Sequence, residues 1–147
     1  PAVTVFADSS ALVKLYVPEV GHEEVRAIAE PVAISSLARV EVPAAFWGKV
    51  RTGELSVDDA SVLVSAFEHD YHGDDTAEPV FVVVSVDEAT LFEAAGQSAR
   101  HRLRAYDAVQ LACAVAVRRA DPSAGTIAVF DQGLRTAAMT EGFSVLG

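Results

Sequence analysis

At 147 residues the chain suits one domain over positions 1–147, with room for a sizeable core. Apolar residues make up 51% and charged residues 22%, a balance that excludes a disordered or low-complexity segment. The formal net charge of −10 argues against a broad phosphate-binding surface, which wants Lys and Arg, so any contact with nucleic acid has to be local.

Short apolar strands alternate with helical patterns along the chain. A first strand is predicted over residues 2–7. Ser9 or Ser10 can cap a helix carrying Leu12, Leu15 and Tyr16 on one face, and Pro18 stops it. A short helix over 22–29 and a strand at Val32-Ala33-Ile34 follow, with Ser35 and Ser36 available as caps. The next helix shows Leu37, Val40 and Ala44 at helical spacing, and it breaks at Thr52-Gly53. Pro43 removes one backbone bond there and predicts a kink, unless the regular part of the helix begins near Arg39.

Ser56-Val57-Asp58-Asp59 reads as a capping box with Asp in place of Glu, opening a helix with Ala60, Leu63, Val64, Phe67 and Tyr71 on its core face. His69 and His72, at its end and next to a polar loop reaching Pro79, are the residue type of metal ligands but read better as solvent-exposed. Val80 to Val86 has the composition of a strand buried on both faces. Helices over 87–100 and 106–119 come next, the second with Ala108, Leu111, Ala112 and Val115 inward. A strand around Ile127, a helix over 132–140 and a strand over 143–146 complete the set. This alternation predicts an α/β domain with a central parallel sheet and helices on both faces. No apolar run approaches the ~18 residues of a membrane span, and no signal-peptide pattern is visible. The lone Cys113 lies in an apolar run and reads as a small buried hydrophobe, fitting a reducing cytoplasm.

Four acids interrupt this pattern. Asp8 and Asp131 each end an apolar strand. Glu41 follows Leu37 by one turn, and Asp107 precedes Leu111 by one turn. A buried carboxylate is costly unless paired or metal-bound, and parallel sheets build sites beyond the carboxyl ends of their strands. Gathered there, four carboxylates would suit a hard cation such as Mg²⁺ or Mn²⁺, able to activate water at a phosphodiester. Ser10 could bond a carboxylate or a metal-bound water. Each residue also has a plainer role: Asp8, Asp131 and Ser10 as helix caps, Glu41 as an exposed helix residue, Asp107 as an acid favoured by the helix dipole. Arg100, Arg102 and Arg104 precede Asp107, and Lys14, Lys49 and Arg51 follow Asp8 and Glu41, a locally basic rim compatible with a bound metal facing a phosphate, or else ordinary solvated charges.

These residues fall in motifs. Asp8-Ser9-Ser10-Ala11-Leu12-Val13-Lys14-Leu15-Tyr16 with Glu19 resembles the opening of PIN-domain proteins, in particular VapC-type toxins of bacterial toxin–antitoxin pairs. Ser36-Leu37-Ala38-Arg39-Val40-Glu41 resembles their second motif, and Leu103 to Ala112 their third, the most specific of the set. Phe130-Asp131-Gln132-Gly133-Leu134 is similar to the fourth, with Val129 where many relatives carry Thr or Ser. The resemblance implies a Mg²⁺- or Mn²⁺-dependent endoribonuclease with Asp8, Glu41 and Asp107, and less firmly Asp131, as catalytic metal ligands. It also implies inhibition by a small VapB-like antitoxin, and a homodimer.

Two other readings stand beside this one. Another metal-dependent phosphoryl-transfer enzyme fits less well. A phospho-receiver would want a lysine after a late strand, and none follows Lys49. A haloacid-dehalogenase-like phosphatase would want Asp where Ser10 stands. A catalytically silent RNA- or protein-binding module on the same fold should have lost a central acid, and Asp8, Glu41 and Asp107 are all present.

Overall fold

The computed structural model describes residues 3–147. They form five strands and seven helices in the predicted alternation: β1 Val5–Ala7, α1 Ser9–Val13, α2 His22–Arg26, β2 Val32–Ser35, α3 Ala38–Arg51, α4 Val57–His72, β3 Phe81–Val84, α5 Glu88–His101, α6 Ala105–Ala120, β4 Thr126–Ala128, α7 Gln132–Thr140 and β5 Ser144–Leu146. The first strand is shorter than predicted, and residue 2, where it was expected to begin, lies outside the described residues. Among the described residues no helix is long and apolar enough to cross a membrane.

All strand pairs are parallel, in the order β3-β2-β1-β4-β5. Side chains alternate across the pleat and split the core in two. Phe6, Ala33 and Ile127 pack with α5, α6 and α7 on one face. Val5, Ala7, Ile34 and Ala128 pack with α1, α3 and α4 on the other, where Phe46, Phe67 and Tyr16 meet edge to face. The chain moves outward from β1 through β2 to β3, then returns to place β4 on the opposite side of β1. The gap beyond the ends of β1 and β4 is therefore the topological switch point, where open parallel sheets bind ligands.

Two packing expectations need correction. The buried face of α3 is Ala38, Val42 and Phe46, while Val40 is 69% exposed and Ala44 is exposed. Both stripes of this helix are apolar, so periodicity alone could not choose between them. β3 is an edge strand, not one buried on both faces, and Val82 is 54% exposed. The apolar residues predicted for the first helix do turn inward: Leu12 is fully buried, Leu15 and Tyr16 are partly buried against the core, and the Tyr16 hydroxyl donates to Asp70 at 2.6 Å. Pro43 lies inside α3, whose assignment continues through it from Ala38 to Arg51.

Candidate functional site

Asp8 stands at the end of β1, its backbone N–H donating to the Ala128 carbonyl of β4 at 3.2 Å. It is also the cap of α1, taking the role expected of Ser9 or Ser10. The Ala11 N–H donates to Oδ1 at 2.8 Å, and the Ser10 hydroxyl lies 3.0 Å from both carboxylate oxygens. The cap and site readings of Asp8 are thus compatible, and Ser10 does bond the carboxylate. Asp8 is only 4% exposed. Burial pushes its carboxyl up to about 6, opposed by the Ala11 and Ser10 bonds and reinforced by the negative charges of Asp107 and Glu41.

Those charges arrive from both faces of the sheet. Glu41 is in the first turn of α3, and Asp107 in the first turn of α6. The Glu41 carboxylate is held by groups that sequence reasoning did not single out. The Ser9 hydroxyl donates to Oε1 at 2.9 Å, and Gln110 Nε2 donates to the same oxygen at 2.8 Å. Gln110 also donates to the Ser9 hydroxyl at 2.8 Å, closing a triangle among α1, α3 and α6. Gln110 belongs to the third motif, and a lone amide in the apolar run from Ala108 to Val117 was the signal available for it.

The fourth acid is placed differently. Asp131 follows β4 at the same end of the sheet, but it is exposed, and its Oδ2 accepts the Leu134 N–H at 2.9 Å as the cap of α7. The negative charges that act on Asp8 are those of Asp107 and Glu41, and Asp131 is not among them. The structure therefore brings Glu41 and Asp107 into electrostatic reach of Asp8 and leaves Asp131 as a helix cap at the same end of the sheet. Among the described residues, no three His, Cys, Asp or Glu side chains lie close enough as they stand to ligate one ion. Glu41 Oε1 is held by two donors, and Asp107 pairs with Arg104 at 3.4 Å.

Of the three arginines that precede Asp107, Arg104 is the one that pairs with a site acid. Arg100 donates to Glu141 at 2.8 Å. Arg102 ends α5 in the left-handed conformation, φ 55°, so its backbone makes the turn into α6. Lys14 and Lys49 approach Glu19 at 3.1 and 2.7 Å and line, with Ser10, a cavity of about 290 Å³. His69 and His72 pair with Asp74 and Glu68 on an exposed helix end. Cys113 is buried, and burial pushes its thiol up.

No protein-family model and no curated protein matches the sequence. Two solved structures share the architecture across nearly their whole length. FitAcB from Neisseria gonorrhoeae is 20% identical, with a TM-score of 0.61, covering 97% of this chain and 96% of that one. PAE2754 from Pyrobaculum aerophilum is 21% identical, with a TM-score of 0.56, covering 99% of this chain and 92% of that one. At such identity the likeness is one of fold, a single α/β domain built on a five-stranded, all-parallel sheet.

Proposed function

We propose that this chain is a Mg²⁺- or Mn²⁺-dependent endoribonuclease and the toxin of a type II toxin–antitoxin pair. The observation that carries the reading is Asp8, a buried carboxylate at the switch point of a parallel sheet with Glu41 and Asp107 close enough to raise its affinity for protons. Such a cluster is a poor way to stabilise a fold and a good way to attract a divalent cation. The donors fit that role, being hard carboxylate oxygens in a partly desolvated setting.

Asp8, Glu41 and Asp107 would hold the ion, with Asp131 at the margin. Bound there, it would supply an activated water and charge stabilisation at a scissile phosphodiester. The chain's own groups supply placement. Ser10 and the Ala11 N–H orient Asp8, and Ser9 and Gln110 orient Glu41. Arg104, 84% exposed beside Asp107, is the cation best placed to meet an RNA phosphate. The protein would act in the cytoplasm. A homodimer follows from the motif resemblance, and sedimentation of the purified chain decides it.

The decisive experiment incubates purified protein with total cellular RNA in Mg²⁺ or Mn²⁺, against a chelator control, and maps the new ends. Reproducible metal-dependent ends are the expected result. RNA bound but not cut would favour a catalytically silent module.

The arginines separate in the same assay. Arg104→Ala weakens RNA binding several-fold at low salt, and its salt dependence flattens by roughly one counterion. Arg100→Ala, which removes one of the two partners of the Glu141 carboxylate and leaves His101 in place, leaves RNA affinity unchanged. Filter binding across a salt series reads both, and equal effects would remove Arg104 from the site.

A further inference from the structure

Gln110 occupies a position where the fold has little use for an amide. Every residue of α6 from Ala108 to Val115 is buried, and Gln110 itself is 3% exposed. Its Oε1 is buried with no hydrogen-bond partner, which costs stability that an apolar side chain of the same shape would not. Its Nε2 is fully used, one bond to Ser9 Oγ and one to Glu41 Oε1, both at 2.8 Å. The Ser9 hydroxyl, accepting from Gln110, has its proton directed to Glu41 Oε1 at 2.9 Å. Both donors converge on one oxygen, and among the described residues Oε2 accepts no hydrogen bond.

The arrangement answers an electrostatic problem. Glu41 is only half-buried and faces the negative charge of Asp8. Left free, its side chain would swing away from it into water. Hydrogen bonds to an ionised carboxylate are roughly twice as strong as neutral ones, and two of them hold it in place.

We propose that Gln110 and Ser9 are positioning residues that fasten Glu41 through Oε1 and leave Oε2 as the oxygen offered to a divalent cation shared with Asp8 and Asp107. This rests on the metal-site reading above. Groups that orient a ligand in this way typically contribute 10–100-fold to metal affinity.

The test is calorimetric titration of Mn²⁺ into the full chain, stripped of metal and free of RNA. Gln110→Met keeps the volume and loses the amide, and Ser9→Ala loses only the hydroxyl. Each weakens Mn²⁺ binding about 10-fold or more. Gln97→Met is the control: Gln97 is also buried with an unpartnered Oε1, but its amide bonds Glu93 on α5. That variant binds Mn²⁺ as the wild type does. Raising Mn²⁺ restores cleavage by Gln110→Met toward the wild-type rate, and circular dichroism of the metal-free variant at the titration temperature shows it folded before metal is added. Should Gln110→Met fold poorly, Ser9→Ala carries the test. Wild type that binds Mn²⁺, together with Gln110→Met or Ser9→Ala binding it equally well, overturns the proposal alone. Wild type that binds no Mn²⁺ overturns the metal-site reading and the proposal with it.

Discussion

With divalent metal removed, Asp8→Asn melts at a higher temperature than the wild-type chain, while losing Mn²⁺ binding and RNA cleavage. Asp8 is 4% exposed, and its carboxyl is pushed up to about 6, chiefly by burial. Between the ordinary carboxylate range and that value, the folded chain keeps a proton that the unfolded chain has lost. Wild-type stability therefore falls as pH rises through this window and levels off above it. Asparagine has no such proton, and as a helix cap it accepts the Ala11 N–H as aspartate does. The gap between the two should be small near pH 4 and reach on the order of 2–3 kcal/mol by pH 7, several degrees in melting temperature. Added Mg²⁺ binds only the folded wild type with effect and narrows the gap. Melting curves of both proteins in chelator from pH 4 to 8 read the whole pattern. An Asp8→Asn variant that melts below wild type at pH 7 would make Asp8 a structural cap and no more. Asp107→Asn should likewise abolish cleavage and metal binding, since its charge acts on the same cluster.

The positions of the acids were legible because a carboxylate after an apolar strand conflicts with local patterning, and such conflicts concentrate at functional sites. Strand–helix alternation was enough to infer a parallel sheet. What the chain does not carry locally is lateral order. Val80 to Val86 has the composition of an interior strand, yet it lies at the edge, because position in a sheet depends on which strands pair. The face of α3 was ambiguous for a related reason. Leu37, Val40 and Ala44 are as apolar as Ala38, Val42 and Phe46, and packing against α1 and α4, not composition, selects the second set. Asp131 was grouped with the other acids from its place after a strand. Its carboxylate turns to the Leu134 N–H, a choice made by the local helix start.

The bonds that fix Glu41 were the least accessible part. They join Ser9, Glu41 and Gln110 across 32, 69 and 101 positions of sequence, so no window contains two of them. They exist because β1 is central, which brings α1, α3 and α6 to one end of the sheet from opposite faces. The same topology concentrates negative charge at that end, on a chain already at −10. Under the proposed function a cation, metal ion or side chain, would offset that charge when the site is occupied.

That role gives the second large effect, in the proposed toxin–antitoxin pair. An antitoxin Arg or Lys reaching Asp8, Glu41 and Asp107 would neutralise the cluster as the metal does, and the two cations cannot share it. Antitoxin affinity should therefore fall as Mg²⁺ rises, by about tenfold for each decade of free Mg²⁺ above the metal's own dissociation constant. By reciprocity the antitoxin should weaken Mg²⁺ binding by the same factor. Replacing the reaching residue with Ala should restore cleavage while the complex stays assembled, because the remaining interface holds the partners together. The apolar part of that interface cannot use Leu12, which is fully buried in the toxin core. Val40 and Tyr106, 69% and 64% exposed and each adjacent in sequence to a site acid, are the apolar groups left facing outward there. Titration of the antitoxin at several Mg²⁺ concentrations decides the matter. Affinity that ignores Mg²⁺, with full inhibition retained by the Ala-substituted antitoxin, would place the inhibitory contact away from the carboxylates.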